Sequence, residues 1–118
     1  MTTVLIVDDH PSFRASARAI LEAEGFLVVG EAQDGSTALT EMKRLHPDVV
    51  LLDVQLPDMD GFDVCADCAK QRNGSHPKIV LVSSRDAVDY GDLIERSGAR
   101  GFIPKAELSG AALAALVG

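Results

Sequence analysis

Three four-residue runs constrain this chain more than any other feature: Val4-Leu5-Ile6-Val7, Val49-Val50-Leu51-Leu52 and Ile79-Val80-Leu81-Val82. A strand with one wet face alternates apolar and polar side chains, and these runs do not alternate. Their Val and Ile content favours extended backbone. The missing alternation predicts strands covered on both faces, as in a parallel sheet held between two layers of helices. Phe26–Val29 reads as a further strand and Gly101-Phe102-Ile103 as a short last one.

The intervening segments carry helical spacing. Pro11 suits a first helical turn, and Phe13, Ala17, Ile20 and Leu21 then recur at helical intervals until Gly25. A second helix is predicted over Ser36–Leu45, with Leu39 and Met42 on its apolar side. A third runs near Phe62–Gln71, with Phe62, Cys65, Cys68 and Ala69 on one stripe. A fourth, near Asp86–Arg96, is weakened by Gly91, and a fifth spans Glu107–Val117. Five such strand–helix units give a three-layer α/β sandwich with right-handed crossovers. They use the whole of 1–118, so the chain reads as one domain.

Composition narrows the function. Eighteen acids against eleven Lys and Arg give a net charge of −7, which argues against direct nucleic-acid binding and fits a cation or a basic partner surface. No apolar run reaches the roughly 18–20 residues of a membrane span, and Met1-Thr2-Thr3-Val4 has no charged leader. Two cysteines cannot build a disulfide scaffold, so the expected location is a reducing cytoplasm.

Each central apolar run stops at a polar residue: Asp8 with Asp9, Asp53, and Ser83 with Ser84. Open α/β sheets bind ligands at the carboxyl ends of their strands, so Asp8, Asp9, Asp53, Ser83 and Lys105 are expected to converge in one pocket. Two carboxylates about 4 Å apart repel by roughly 4 kcal/mol at an effective dielectric of 20, and three demand a counter-charge. Hard oxygen donors select Mg²⁺ or Mn²⁺ over zinc. A carboxylate beside such a cation, a hydroxyl and a lysine is a good phosphoryl acceptor, and Asp53, ending the middle strand, is the candidate nucleophile.

With these residues in order, the chain resembles the receiver domain of two-component response regulators, most of all those with a LuxR/NarL-type helix-turn-helix output. The carriers are Asp8-Asp9, the segment Val50-Leu51-Leu52-Asp53-Val54-Gln55-Leu56-Pro57-Asp58-Met59-Asp60-Gly61, Ser83, and Lys105 three positions after Phe102. The opening Asp8-Asp9-His10-Pro11-Ser12-Phe13-Arg14 and Phe26–Ala32 point to the LuxR/NarL group. The resemblance implies strand order 2-1-3-4-5 in a flavodoxin-like fold. It implies a switch rather than an enzyme, with Asp53 taking phosphate from a sensor histidine kinase or phosphotransfer domain. Mg²⁺ would be held by Asp9, Asp53 and the Gln55 carbonyl oxygen, with Asp8 assisting. Ser83 would move to the phosphoryl group and Phe102 would turn inward behind it. The surface of the fourth helix, fifth strand and fifth helix would then meet an output or a second copy; pairing through the first and fifth helices is the other dimer. No output domain is expected within 1–118, and the uncharged end from Gly110 to Gly118 favours an excised receiver. The family often has proline after its lysine, whereas Ala106 follows here, and a cis Lys105–Ala106 bond would cost about 3–4 kcal/mol.

Other readings fit less well. Asp8-Asp9-His10 lacks the Asp-x-Asp spacing of a haloacid dehalogenase-type phosphatase, and two acids would repel the phosphate of a flavodoxin-like FMN site. Receiver-like interaction without phosphorylation is opposed by the intact residue set. Cys65-Ala66-Asp67-Cys68 lies on a helix's apolar stripe and reads as packing. His10 reads as a helix-entry residue, and Asp58, Asp60 and Asp63 as solvated acids.

Overall fold

The computed structural model describes residues 1–70 and 76–118. Five strands, β1 (Thr3–Val7), β2 (Leu27–Ala32), β3 (Val49–Asp53), β4 (Lys78–Ser83) and β5 (Gly101–Pro104), form one parallel sheet in the order β2-β1-β3-β4-β5. The helices are α1 (Pro11–Ala23), α2 (Gly35–Leu45), α3 (Gly61–Ala69), α4 (Leu93–Arg96) and α5 (Gly110–Val117).

The unalternating runs have the expected cause. On one face of the sheet Leu5, Val7, Val50, Leu52, Ile79 and Leu81 pack with Ala38 and Met42 of α2 and with Val64, Cys65 and Cys68 of α3. On the other, Val4, Ile6, Val49, Leu51, Val80 and Val82 pack with Ala17 and Leu21 of α1 and Leu113 and Val117 of α5. Successive residues of a strand thus enter different cores, so polar residues are excluded until the strand ends.

The sheet's edge and the last two helices depart from the sequence expectation. β2 continues to Ala32, three residues past Val29, after a bulge where the register jumps from Val4↔Val28 to Leu5↔Gly30. Gly30 leaves space that a Cβ would take from Leu45, while exposed Glu31 pairs with Arg14 at 3.0 Å and Arg18 at 2.9 Å. An edge strand tolerates such a polar segment, which reads locally as loop. The fourth helix is split at Gly91, whose φ is +57°, into a 3₁₀ turn over Ala87–Tyr90 and the single turn of α4. The fifth begins later than Glu107: a 3₁₀ turn over Lys105–Glu107 gives way to extended Leu108, and Ser109 caps α5 by accepting the Ala112 N–H at 3.0 Å. In α1, Ile20 is exposed rather than buried. In α3, Ala69 faces solvent, and Gln71, the expected end of that helix, lies outside the described residues.

The acidic loops do more than solvate. Asp58 accepts the N–H groups of Gly35 at 2.8 Å and Ser36 at 3.0 Å, joining the β3–α3 loop to the first turn of α2, and these bonds hold its carboxyl below the ordinary range. Asp60 and Asp63 form a reciprocal capping box at the start of α3. Gly61 then packs against the end of β3: a Cβ there would lie 2.8 Å from the Asp53 carbonyl oxygen and 3.0 Å from Val54 Cα. Both atoms are backbone and cannot rotate away, so Gly61→Ala is expected to destabilise the fold by about 1–3 kcal/mol in urea unfolding. Unchanged stability would show that the β3–α3 approach is looser than this.

Candidate functional site

The carboxyl ends of β1, β3 and β5 meet at one rim of the sheet. β1 delivers Asp8, fully buried, and β3 delivers Asp53, 2% exposed. From just beyond β5, Lys105 Nζ reaches 2.6 Å from Asp8 Oδ2 and 3.3 Å from Asp53 Oδ2. The same ammonium lies 4.6 Å from the centroid of the Phe13 ring of α1, so an apolar wall backs the pair. Arg14 fixes the β1–α1 loop by donating to the Asp8 carbonyl at 2.6 Å.

Burial and like charge set the electrostatics. Desolvation, followed by the Asp8 charge, pushes the Asp53 carboxyl up to about 6, against the opposing pull of Lys105 and of the Gln55 N–H. That N–H donates to Asp53 Oδ1 at 3.2 Å. Burial disfavours the Lys105 ammonium, yet Asp8 and Asp53 outweigh it and raise its pKa above the usual lysine value.

The remaining expected residues are held by contacts of their own. Asp9 is on the exposed side of the rim, and one ligand atom each from Asp8, Asp9, His10 and Asp53 lie within 4.8 Å of one another. His10 does enter α1, as its N-cap, but without a side-chain cap bond. Its ring Nδ1 is instead 2.9 Å from Asp8 Oδ1 and 3.1 Å from Asp9 Oδ1, a contact that its helix-entry role did not reveal. Ser83 ends β4, beside β3, and is fully buried. Its hydroxyl accepts the Arg85 N–H at 3.0 Å and shares a 2.6 Å hydrogen bond with the Tyr90 hydroxyl. Phe102, half-buried on β5, lies against Tyr90 with ring centroids 5.8 Å apart. Tyr90 had no periodicity or motif to single it out; its role depends on the 3₁₀ turn that brings it back to β4.

The donor atoms gathered here could hold a hard cation. Asp8 Oδ2 is buried without a well-directed hydrogen bond despite its close approach to Lys105. Lys105 pairs with Asp8 and Asp53, while Asp9 meets only the His10 ring, so three carboxylates stand against one ammonium. Oxygen donors with one imidazole at the rim suit a small divalent ion.

Comparison with known proteins agrees with this geometry. The family model described as response regulator receiver domain matches residues 4–117. The chain belongs to the response regulator receiver domain family. This receiver domain is 40% identical over 104 residues to the DNA-binding response regulator MtrA of Mycolicibacterium smegmatis, a match covering 86% of this chain and 43% of MtrA. It is 35% identical over 104 residues to the virulence-factor transcription regulator BvgA of Bordetella pertussis, covering 88% and 49%. Among solved structures, the signal receiver domain of NarL from Mycobacterium tuberculosis superposes with a TM-score of 0.85 at 35% identity, covering 99% of this chain and 97% of that one. The chain spans about half the length of the curated relatives it matches. Its acidic cluster is of the kind in which receiver domains hold Mg²⁺, and the domain is a signalling module rather than an enzyme of the ordinary kind. Among the described residues no helix is long and apolar enough to cross a membrane.

Cys65 and Cys68 are free and buried among apolar side chains of α3, and burial pushes the Cys65 thiol up to about 12. Such a thiol carries little thiolate at neutral pH, in keeping with packing. No peptide bond among the described residues is cis, the Lys105–Ala106 bond included.

Proposed function

We propose that this receiver domain is a cytoplasmic switch that accepts a phosphoryl group on Asp53 from the phosphohistidine of a sensor histidine kinase or phosphotransfer domain. The observation that carries the reading is a nearly buried carboxylate at the end of the central strand, in contact with an ammonium and beside a second buried acid. With its pKa near 6, Asp53 is still largely ionised at neutral pH and able to attack. Its Oδ atoms make only long contacts, 3.2 Å to Gln55 N and 3.3 Å to Lys105 Nζ, so lone pairs remain available.

In the transfer, a carboxylate oxygen of Asp53 forms the new O–P bond as the P–N bond of the phosphohistidine breaks. The imidazole leaves with the electron pair, and the product is an acyl phosphate. Lys105 neutralises charge on the phosphoryl oxygens, and Ser83 donates to one of them. Asp8, Asp9, Asp53 and the Gln55 carbonyl would hold Mg²⁺, or Mn²⁺ in its place. The bound cation supplies charge neutralisation for the crowded carboxylates and the incoming phosphoryl group. Phe102 is the aromatic that responds, and the α4–β5–α5 surface carries the change to an output or to a second copy, with α1 and α5 as the other dimer face. MtrA is described as DNA-binding and BvgA as a transcription regulator, which supports control of transcription by a DNA-binding domain outside residues 1–118.

Acetyl phosphate with Mg²⁺ tests this without a kinase. Intact-mass spectrometry is expected to show one added phosphoryl group on the wild type and none on Asp53→Asn. Equal labelling of both proteins would overturn the assignment.

A further inference from the structure

Ser83 is fully buried, and its hydroxyl is already engaged in this structure. The partner, Tyr90, sits at the end of a four-residue 3₁₀ turn with the Tyr hydroxyl 2.6 Å from Ser83 Oγ. Its ring meets Phe62 of α3 edge-on, with centroids 5.7 Å apart, and meets Phe102 at 5.8 Å. One half-buried side chain therefore touches the hydroxyl at the end of β4, the aromatic of β5 and the start of α3. The next residue, Gly91, has φ +57° and breaks the helix, so little regular structure opposes movement of the turn. Around it Val88 and Leu93 are exposed apolar residues, a surface whose presentation depends on where the turn rests.

We propose that Tyr90 is a positioning residue that holds Ser83 in the unphosphorylated protein, and that phosphorylation trades the Ser83–Tyr90 hydrogen bond for one from Ser83 to the phosphoryl oxygens. This rests on Asp53 being the phosphoacceptor. The released tyrosine lets the Ala87–Tyr90 turn shift and withdraws its ring from Phe102. The coupling between the pocket and the α4–β5 surface in this chain thus runs through a hydroxyl pair and an aromatic contact. Because the bond exists only in the resting state, removing it favours the activated state.

The chain has one tyrosine and no tryptophan, so its near-ultraviolet tyrosine band reports Tyr90 alone. Beryllofluoride with Mg²⁺ serves as the phosphoryl mimic, and ¹⁹F NMR measures its binding independently. On saturation the wild-type tyrosine band is expected to shift, as the hydroxyl loses its partner. In Ser83→Ala the band is expected to stand at the shifted position beforehand. Tyr90→Phe, which keeps the ring, is expected to bind beryllofluoride about fivefold more tightly, the factor carried by one neutral hydrogen bond, and to have no such effect in the Ser83→Ala background. Binding by ¹⁹F NMR with an unmoved tyrosine band, or wild-type affinity in Tyr90→Phe, would overturn the latch while leaving the phosphoacceptor intact. Absence of both beryllofluoride binding and acetyl phosphate labelling in the wild type would overturn the phosphoacceptor reading, and the latch with it.

Discussion

Lys105→Met is expected to destabilise the metal-free protein by about 2–4 kcal/mol at pH 7.5, a large part of the stability of a domain this size. Lys105 is the ammonium that lies between two carboxylates with almost no access to water, at 2.6 Å from Asp8 and 3.3 Å from Asp53. Methionine retains most of the chain's bulk and its contact with Phe13 but removes the ammonium from both acids, leaving Asp8 to His10 and Asp53 to the Gln55 N–H. Part of the penalty is relieved because Asp53, already raised to about 6 with Lys105 present, titrates higher without it. The cost should therefore shrink as pH falls toward 5, and millimolar Mg²⁺ should restore stability more in the variant than in the wild type. Urea unfolding at pH 5 and 7.5, with and without Mg²⁺, checks this. A variant as stable as the wild type at pH 7.5 would show that the ion pairs do not bear the buried charge.

Asp53→Asn is expected to act in the opposite direction, raising stability at pH 7.5 without metal by about 2–3 kcal/mol. The folded-state pKa of about 6 lies above the unfolded value near 3.9, so between these values the native state binds more protons than the unfolded one. Stability contributed by this group is greatest below pH 4, falls as pH rises through about 4–6, and stays lost above it. Asparagine removes that dependence, so the two proteins should converge near pH 4 and diverge by pH 7. Mg²⁺ should close the gap by stabilising the wild type. Equal stability of the two proteins at pH 7.5 would mean that Asp53 is better solvated than its 2% exposure indicates. Placed together, the two variants describe a pocket that is short of positive charge and costs the fold stability in return for its chemistry.

How far the sequence disclosed this follows from which interactions leave a local trace. β1, β3 and β4 were legible because burial on both faces leaves an uninterrupted apolar run, and Asp8, Asp53 and Ser83 were legible as the points where those runs stop. Lys105 followed from its place after the last strand. What the sequence hid depends on contacts distant along the chain. Gly30-Glu31-Ala32 is strand only because β1 lies beside it and Arg14 and Arg18 reach Glu31. Asp58 looked like a solvated loop acid because the N–H groups it caps are 23 and 22 residues away. Tyr90 was invisible for a similar reason: a single aromatic in a short, Gly-broken segment has no periodicity to place it against Ser83.

The central claim is that Asp53 carries the phosphoryl group, and borohydride trapping reads this at the level of a single residue. An acyl phosphate at an aspartate is reduced to homoserine, whereas a phosphoserine or a phosphohistidine is not. After treatment with acetyl phosphate and Mg²⁺, reduction and peptide mapping are expected to find homoserine at position 53, with none when Mg²⁺ is replaced by a chelator. Homoserine at position 8 or 9 instead, or an added phosphoryl group with position 53 still aspartate, would contradict it.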